Sequence, residues 1–164
     1  MSYKIIIDSC GELLEEWKND EHFESVPLTL NVNGETIVDD ASFDQKSFLQ
    51  KVAASTECPK SACPSPERYM KAFDCEADRI YAVTLSAELS GSYNSAVLGR
   101  SLLKEEQPEK KIYVFNSRSA SVGQTLIGMK IQECEEAGCT FEEVVSRVEA
   151  YISEQNTFFV LDNL

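Results

Sequence analysis

The residues best suited to chemistry are hydroxyls gathered where apolar runs give way to helical patterns. In Thr84–Ala96, "TLSAELSGSYNSA", Ser86, Ser90, Ser92 and Ser95 surround Gly91 directly after an apolar run. The same texture recurs at Asp8-Ser9-Cys10-Gly11 and at Asn116-Ser117-Arg118-Ser119 with Ser121. Two readings stay open for each group. Short hydroxyl side chains are the ordinary caps of helix N-termini. Neutral donors combined with free helix N–H groups can equally hold an anion. Asp8, at a strand end, is either a structural acceptor for nearby backbone donors or part of the site.

What the set lacks narrows the chemistry. The single histidine, His22, stands in the polar stretch "KNDEHFE", so a Ser-His-Asp or Cys-His arrangement is not expected and His22 reads as a surface residue. Neither a Gly-x-Gly-x-x-Gly turn nor a Gly-x4-Gly-Lys-Ser/Thr loop follows the first apolar run. "IIIDSCGE" resembles the aspartate-first strand end of haloacid dehalogenase-type phosphotransferases, with Cys10 at their second aspartate. Hydroxyls and N–H groups without a general base hold a group and do not transform it. The expected class is a binding protein without metal or cofactor. A non-lipid interaction module and a small anion- or phosphate-ester-processing enzyme are the alternatives.

The elements that must position these residues follow from hydrophobic pattern. Apolar runs at Tyr3–Ile7, Arg79–Leu85, Ile112–Phe115 and Thr157–Leu161 lack alternation, as strands buried on both faces do. Helical patterns occupy Ser92–Glu106 and Ser119–Glu136, the second stopping before Gly138. A third starts from the Thr140/Glu143 capping box. Asn33-Gly34 between two strand-like runs predicts a hairpin. Ser42 and Gln45 predict the start of a helix carrying Phe48, Leu49 and Val52. In the proline-rich loop that follows, Ser65 is the expected cap and Pro66 the first helical residue. The expected fold is α/β: a mainly parallel sheet covered by helices on both faces, with a β-hairpin insertion near the N-terminus. In such a sheet the polar loops share the edge beyond the strands' carboxyl ends, where ligands bind.

Bulk properties agree with this class. The 164 residues suit one domain, and a net charge of −13 repels nucleic acid and anionic membrane surfaces. No basic and apolar leader opens the chain and no apolar run reaches the length of a membrane span, which predicts a cytoplasmic protein. The six cysteines are then expected as thiols and not as a disulfide framework.

Six ordered segments carry a family likeness: "IIIDSCGEL", "VPLTLNVNG", "PKSACPSP", "LSAELSGSYNSA", "NSRSASVGQ" and "FFVLDNL". In order and spacing they resemble the motifs of the DegV family of bacterial fatty-acid-binding proteins, from Ile5 to Leu164. The resemblance implies a two-domain protein, with residues 1–164 as its N-terminal domain and a second, lipid-binding domain expected beyond Leu164. It implies that Ser61 and Ser90, with Gly91 and Ser92 at the helix start, hold the carboxylate of a long-chain fatty acid. Asp8, Ser9 and Ser117 would support them. It further implies a fatty acid kinase catalytic subunit as partner, which phosphorylates the bound acid for phospholipid synthesis while the binding protein catalyses nothing. An exposed domain junction would favour self-association. Ala62, Cys63 and Ala87 stand where polar groups are usual in that family, and Asn116 where aspartate is common.

Overall fold

The computed structural model describes residues 2–160. In chain order the elements are β1 (Tyr3–Asp8), β2 (Phe23–Val26), β3 (Thr29–Val32), β4 (Glu35–Val38), α1 (Gln45–Ala54), β5 (Lys60–Ala62), α2 (Pro66–Phe73), β6 (Arg79–Thr84), α3 (Ser92–Glu106), β7 (Lys111–Asn116), α4 (Val122–Glu136) and α5 (Phe141–Glu154). A single 3-10 turn at Glu15–Trp17 separates β1 from β2.

Four strands form the parallel sheet, in the order β2-β1-β6-β7. Successive side chains on a strand point to opposite faces, so each apolar run supplies two cores. Ile5, Ile7, Tyr81, Val83 and Phe115 meet Ile127 and Ile131 of α4 and Val144, Val148 and Ile152 of α5. Ile6, Ile80, Ala82, Ile112 and Val114 meet Tyr69 and Phe73 of α2 and Ala96 and Leu103 of α3. Every residue of β6 is buried, as expected of a central strand covered on both faces. Each fully buried isoleucine contributes about 1.5–3 kcal/mol.

The insertion is a second, antiparallel sheet in the order β4-β3-β5. Asn33 at φ 52° and Gly34 at φ 78° make its hairpin turn, and both central residues of such a turn need positive φ. The expected caps hold at two helices. Ser65 accepts from Arg68 N before Pro66, and Thr140 and Glu143 exchange both bonds of a capping box. Gly138 closes α4 at φ 76°.

Several expectations are corrected. Residues 157–160 form no strand: Phe158, Phe159 and Val160 are 89%, 64% and 96% exposed. Leu161 lies outside the described residues. Helix α1 is capped by Asp44, which accepts from Ser47 N, while the Ser42 hydroxyl turns back to Asp40 Oδ1 at 2.6 Å. Helix α4 begins at Val122, not Ser119, because Arg118 at φ 51° and Ser121 at φ 52° break the helical path. Strands β2 and β5 were not expected. Phe23 and Val26 are the only buried positions of β2, and β5 is exposed throughout, so neither has a hydrophobic pattern to read.

Candidate functional site

The parallel register brings the carboxyl ends of β1, β6 and β7 to one edge, with Ile7 opposite Val83 and Thr84 opposite Asn116. The three hydroxyl-rich loops therefore sit side by side. Backbone bonds lock the loops after β6 and β7 to each other: Ser86 N donates to Ser119 O at 2.9 Å and Ser117 N to Thr84 O at 3.3 Å. Asn116 Oδ1 accepts from Ala87 N at 3.0 Å and Arg118 N at 3.1 Å. These are acceptor tasks that an aspartate would perform equally well.

Asp8 is fully buried. Its Oδ2 accepts from Leu85 N at 2.7 Å and from the Ser92 hydroxyl at 2.5 Å. Its Oδ1 accepts from Gln124 Nε2 at 2.9 Å. Tyr69 OH lies 2.6 Å from Ser92 Oγ. Burial, and then the neighbouring Asp8, push the Tyr69 phenol well above its ordinary range, so it stays a proton donor. A carboxylate only accepts, so the Ser92 proton points to Asp8 and the Tyr69 proton to Ser92. The Ser92 hydroxyl is thereby directed inward, away from the surface.

The remaining sequence-selected residues divide by exposure. Ser9 Oγ accepts from Leu28 N at 2.9 Å and Ser9 N donates to Val26 O, which joins the parallel sheet to the insertion. Ser117 is buried and its hydroxyl donates to Ser119 O at 3.0 Å. Both are committed to the scaffold. Ser90 is half-buried and accepts from Ser92 N at 3.2 Å, and Gly91 is exposed. Gly91 caps α3 with no side-chain acceptor of its own, so apart from Ser92 N, which Ser90 takes, first-turn N–H groups are left for an external partner. Ser61 is exposed on β5, in register with Leu30.

Cys63 brings the two halves together. Its sulfur lies 3.8 Å from Ser95 Oγ and faces Gly91 closely enough that a Cβ there would meet it at 3.1 Å. The loop after β5 thus abuts the N-terminus of α3. Cys10 is half-buried, and burial raises its thiol above the usual range although Ser121 N–H partly offsets this. That is the opposite of an activated nucleophile. Tyr69 and Gln124 were not singled out from sequence; both lie far along the chain from Asp8, and no spacing rule links them. Among the described residues no His, Cys, Asp and Glu group of metal-binding geometry occurs. Among the same residues no helix is long and apolar enough to cross a membrane.

The fold is an α/β scaffold with hydroxyls and an open helix start at the carboxyl edge of its parallel sheet, the edge where ligands bind in open α/β sheets. A family model described as "Uncharacterised protein, DegV family" matches residues 2–164, and the chain belongs to the DegV family. A crystal structure of a DegV family protein from Ruminococcus gnavus, refined with vaccenic acid, is 61% identical with a TM-score of 0.92, covering 94% of this chain and 55% of that one. The Streptococcus pneumoniae Fatty Acid Kinase (Fak) B3 protein loaded with linoleic acid is 40% identical with a TM-score of 0.85, covering 93% and 55%. A curated DegV domain-containing protein from Streptococcus gordonii is 38% identical over all of this chain and 60% of its own length. The chain spans about three fifths of the length of the curated relatives it matches.

Proposed function

We propose that the chain binds a long-chain fatty acid and holds its carboxylate at the carboxyl edge of the parallel sheet, with Ser90, the N–H groups at the Gly91 helix start and Ser61 as donors, while Ser92, turned inward, only fixes that start. The observation that carries this reading is the contact of Cys63 with Gly91, which sets the Ser61 loop against an open helix N-terminus. Solved relatives loaded with vaccenic and linoleic acid support it. Charge-assisted hydrogen bonds of this kind contribute about 1.5–3 kcal/mol each, and burial of the acyl chain about 0.8 kcal/mol per CH₂.

In this proposal a second domain, expected beyond Leu164, encloses the acyl chain and completes the carboxylate's partners. The bound acid is presented to a fatty acid kinase catalytic subunit, and the binding protein performs no chemistry itself. The burial of Asp8 argues the same way, since a carboxylate sealed beneath the loops does not reach a phosphate ester.

The test is an oleate titration of the chain alone beside a chimera joining it to the rest of the Ruminococcus gnavus relative. The chimera is expected to bind and the isolated chain to bind far more weakly. Ser61→Ala and Ser90→Ala are each expected to weaken the chimera's binding without loss of fold. Unchanged affinity in both variants would remove these residues from the site.

A further inference from the structure

We infer that Asp8 is a positioning residue of the carboxylate site, acting through the loop that follows β6 and never touching the ligand. The inference rests on the reading that the carboxylate is held at Ser90 and Gly91. The loop leaves β6 at Leu85 and enters α3 at Ser92, and both ends converge on one oxygen, Asp8 Oδ2, at 2.7 and 2.5 Å. Ser90 and Gly91 are thus carried by a segment closed by a single buried atom. The other oxygen holds α4 through Gln124, and α2 joins through Tyr69 on Ser92. One side chain from β1 therefore references the helix start against three other elements. It is fully buried, so it has no surface to offer a ligand.

The bonding pattern separates geometry from charge. All the donors on Asp8 named above are neutral: a backbone N–H, a hydroxyl and an amide. An asparagine of the same shape can keep its oxygen toward Leu85 and Ser92 and turn its NH₂ toward Gln124. Gln124 Oε1 is buried without a hydrogen-bond partner, so rotating that amide presents an acceptor to the new donor. Asp8→Asn therefore preserves the closure while deleting the charge. Asp8→Ala deletes both. If the role is positioning, asparagine rescues it.

The experiment measures oleate affinity in the chimera described above and amide hydrogen exchange at Leu85 and Ser90–Ser92 in the chain itself. Asp8→Asn is expected to stay within about threefold of the parent in both readouts, and Asp8→Ala to lose about tenfold or more, a loss equivalent to one or two buried hydrogen bonds. Glu135→Gln, which weakens the fold from the opposite end of the sheet, is the control and is expected to leave affinity unchanged. Asp8→Asn as weak as Asp8→Ala would assign the effect to charge and overturn the inference, as would Asp8→Ala binding like the parent. Should Asp8→Ala fail to fold, Ser92→Ala carries the test: faster exchange at Leu85 with weaker binding supports the inference, and parent-like behaviour overturns it. A parent chimera that binds no oleate would refute the ligand assignment. The exchange data would then decide the closure alone, and unchanged protection in Asp8→Ala would overturn it.

Discussion

A Cβ placed on Gly91 would stand 3.1 Å from the sulfur of Cys63, so the glycine at the start of α3 and the thiol after β5 share one close contact. Gly91 has φ −72° and ψ −2°, a conformation open to any residue. Its lack of a side chain matters for space and not for backbone freedom. Gly91→Val is therefore expected to leave stability within about 1 kcal/mol of the parent, as at most exposed sites, while filling the gap beside Ser90 and abolishing oleate binding. Urea unfolding and the oleate titration together check this; retained binding would place the carboxylate elsewhere.

Helices α2 and α3 cross at Gly99, where a Cβ would lie 2.5 Å from Pro66 O and 2.9 Å from Met70 N. Those neighbours are backbone atoms and yield only if a helix shifts. Gly99→Ala should cost about 1–3 kcal/mol by overpacking, more than the gain in helix propensity of about 1 kcal/mol returns. A lowered urea midpoint is the expected readout.

At the end of the sheet opposite the site, Arg79 Nη2 pairs with Glu135 Oε2 at 2.8 Å and Arg79 Nη1 donates to Cys139 O. Tyr81 OH donates to Glu135 Oε1 at 2.5 Å. The Glu135 side chain is 1% exposed and that of Arg79 11%. Removing one member of such a pair strands the other charge, so Glu135→Ala is expected to destabilise by about 3–5 kcal/mol. Denaturant unfolding measures it, and a loss below about 1 kcal/mol, the range of exposed pairs, would contradict it.

Acidification should fray α5 first at its start. Backbone and side-chain hydrogen bonds from Thr140 hold the Glu143 carboxyl below its ordinary value of 4.5. A folded value depressed below the unfolded one gives stability that is present above pH 4.5 and lost as pH falls through the folded value. Protection factors at residues 141–144, that is exchange corrected for the intrinsic pH dependence, should therefore fall below pH 4.5 in the parent and be already lowered, with a weaker pH dependence, in Glu143→Gln.

The apolar side chains Leu89, Val122, Leu126, Phe158, Phe159 and Val160 are exposed. Thr157 Oγ1 lies 2.7 Å from Ser119 Oγ, which brings the chain after α5 to the edge that carries the site. Exposed apolar side chains promote association where they gather into a patch. Light scattering should show concentration-dependent association of the chain that Phe158→Ser with Phe159→Ser reduces. A clean monomer at high concentration would count against it.

The amino-acid sequence by itself determined the elements whose cause is local. Unbroken apolar runs specify β1, β6 and β7 because a strand covered on both faces has no polar side to show. Ser65 with Pro66, Thr140 with Glu143, and Asn33 with Gly34 specify two helix starts and a hairpin because capping and turn geometry act within four residues. The hydroxyl-rich strand ends were legible for the same reason, whereas Ser61, Ser90, Gly91 and Ser92 became candidates for the carboxylate only through the resemblance to the DegV family. What each hydroxyl does was decided by tertiary structure. Ser92 turns inward because Asp8 and Tyr69, separated from it by 84 and 23 residues, converge on its oxygen, and Ser9 and Ser117 are committed to backbone partners that only packing supplies. Strands β2 and β5 exist because a neighbouring strand offers hydrogen bonds, and residues 157–160, apolar as they are, stay unpaired and exposed. Local capping and turn geometry can be read from the chain in order. Convergence on one buried carboxylate arises only when the sheet and its helices close around it.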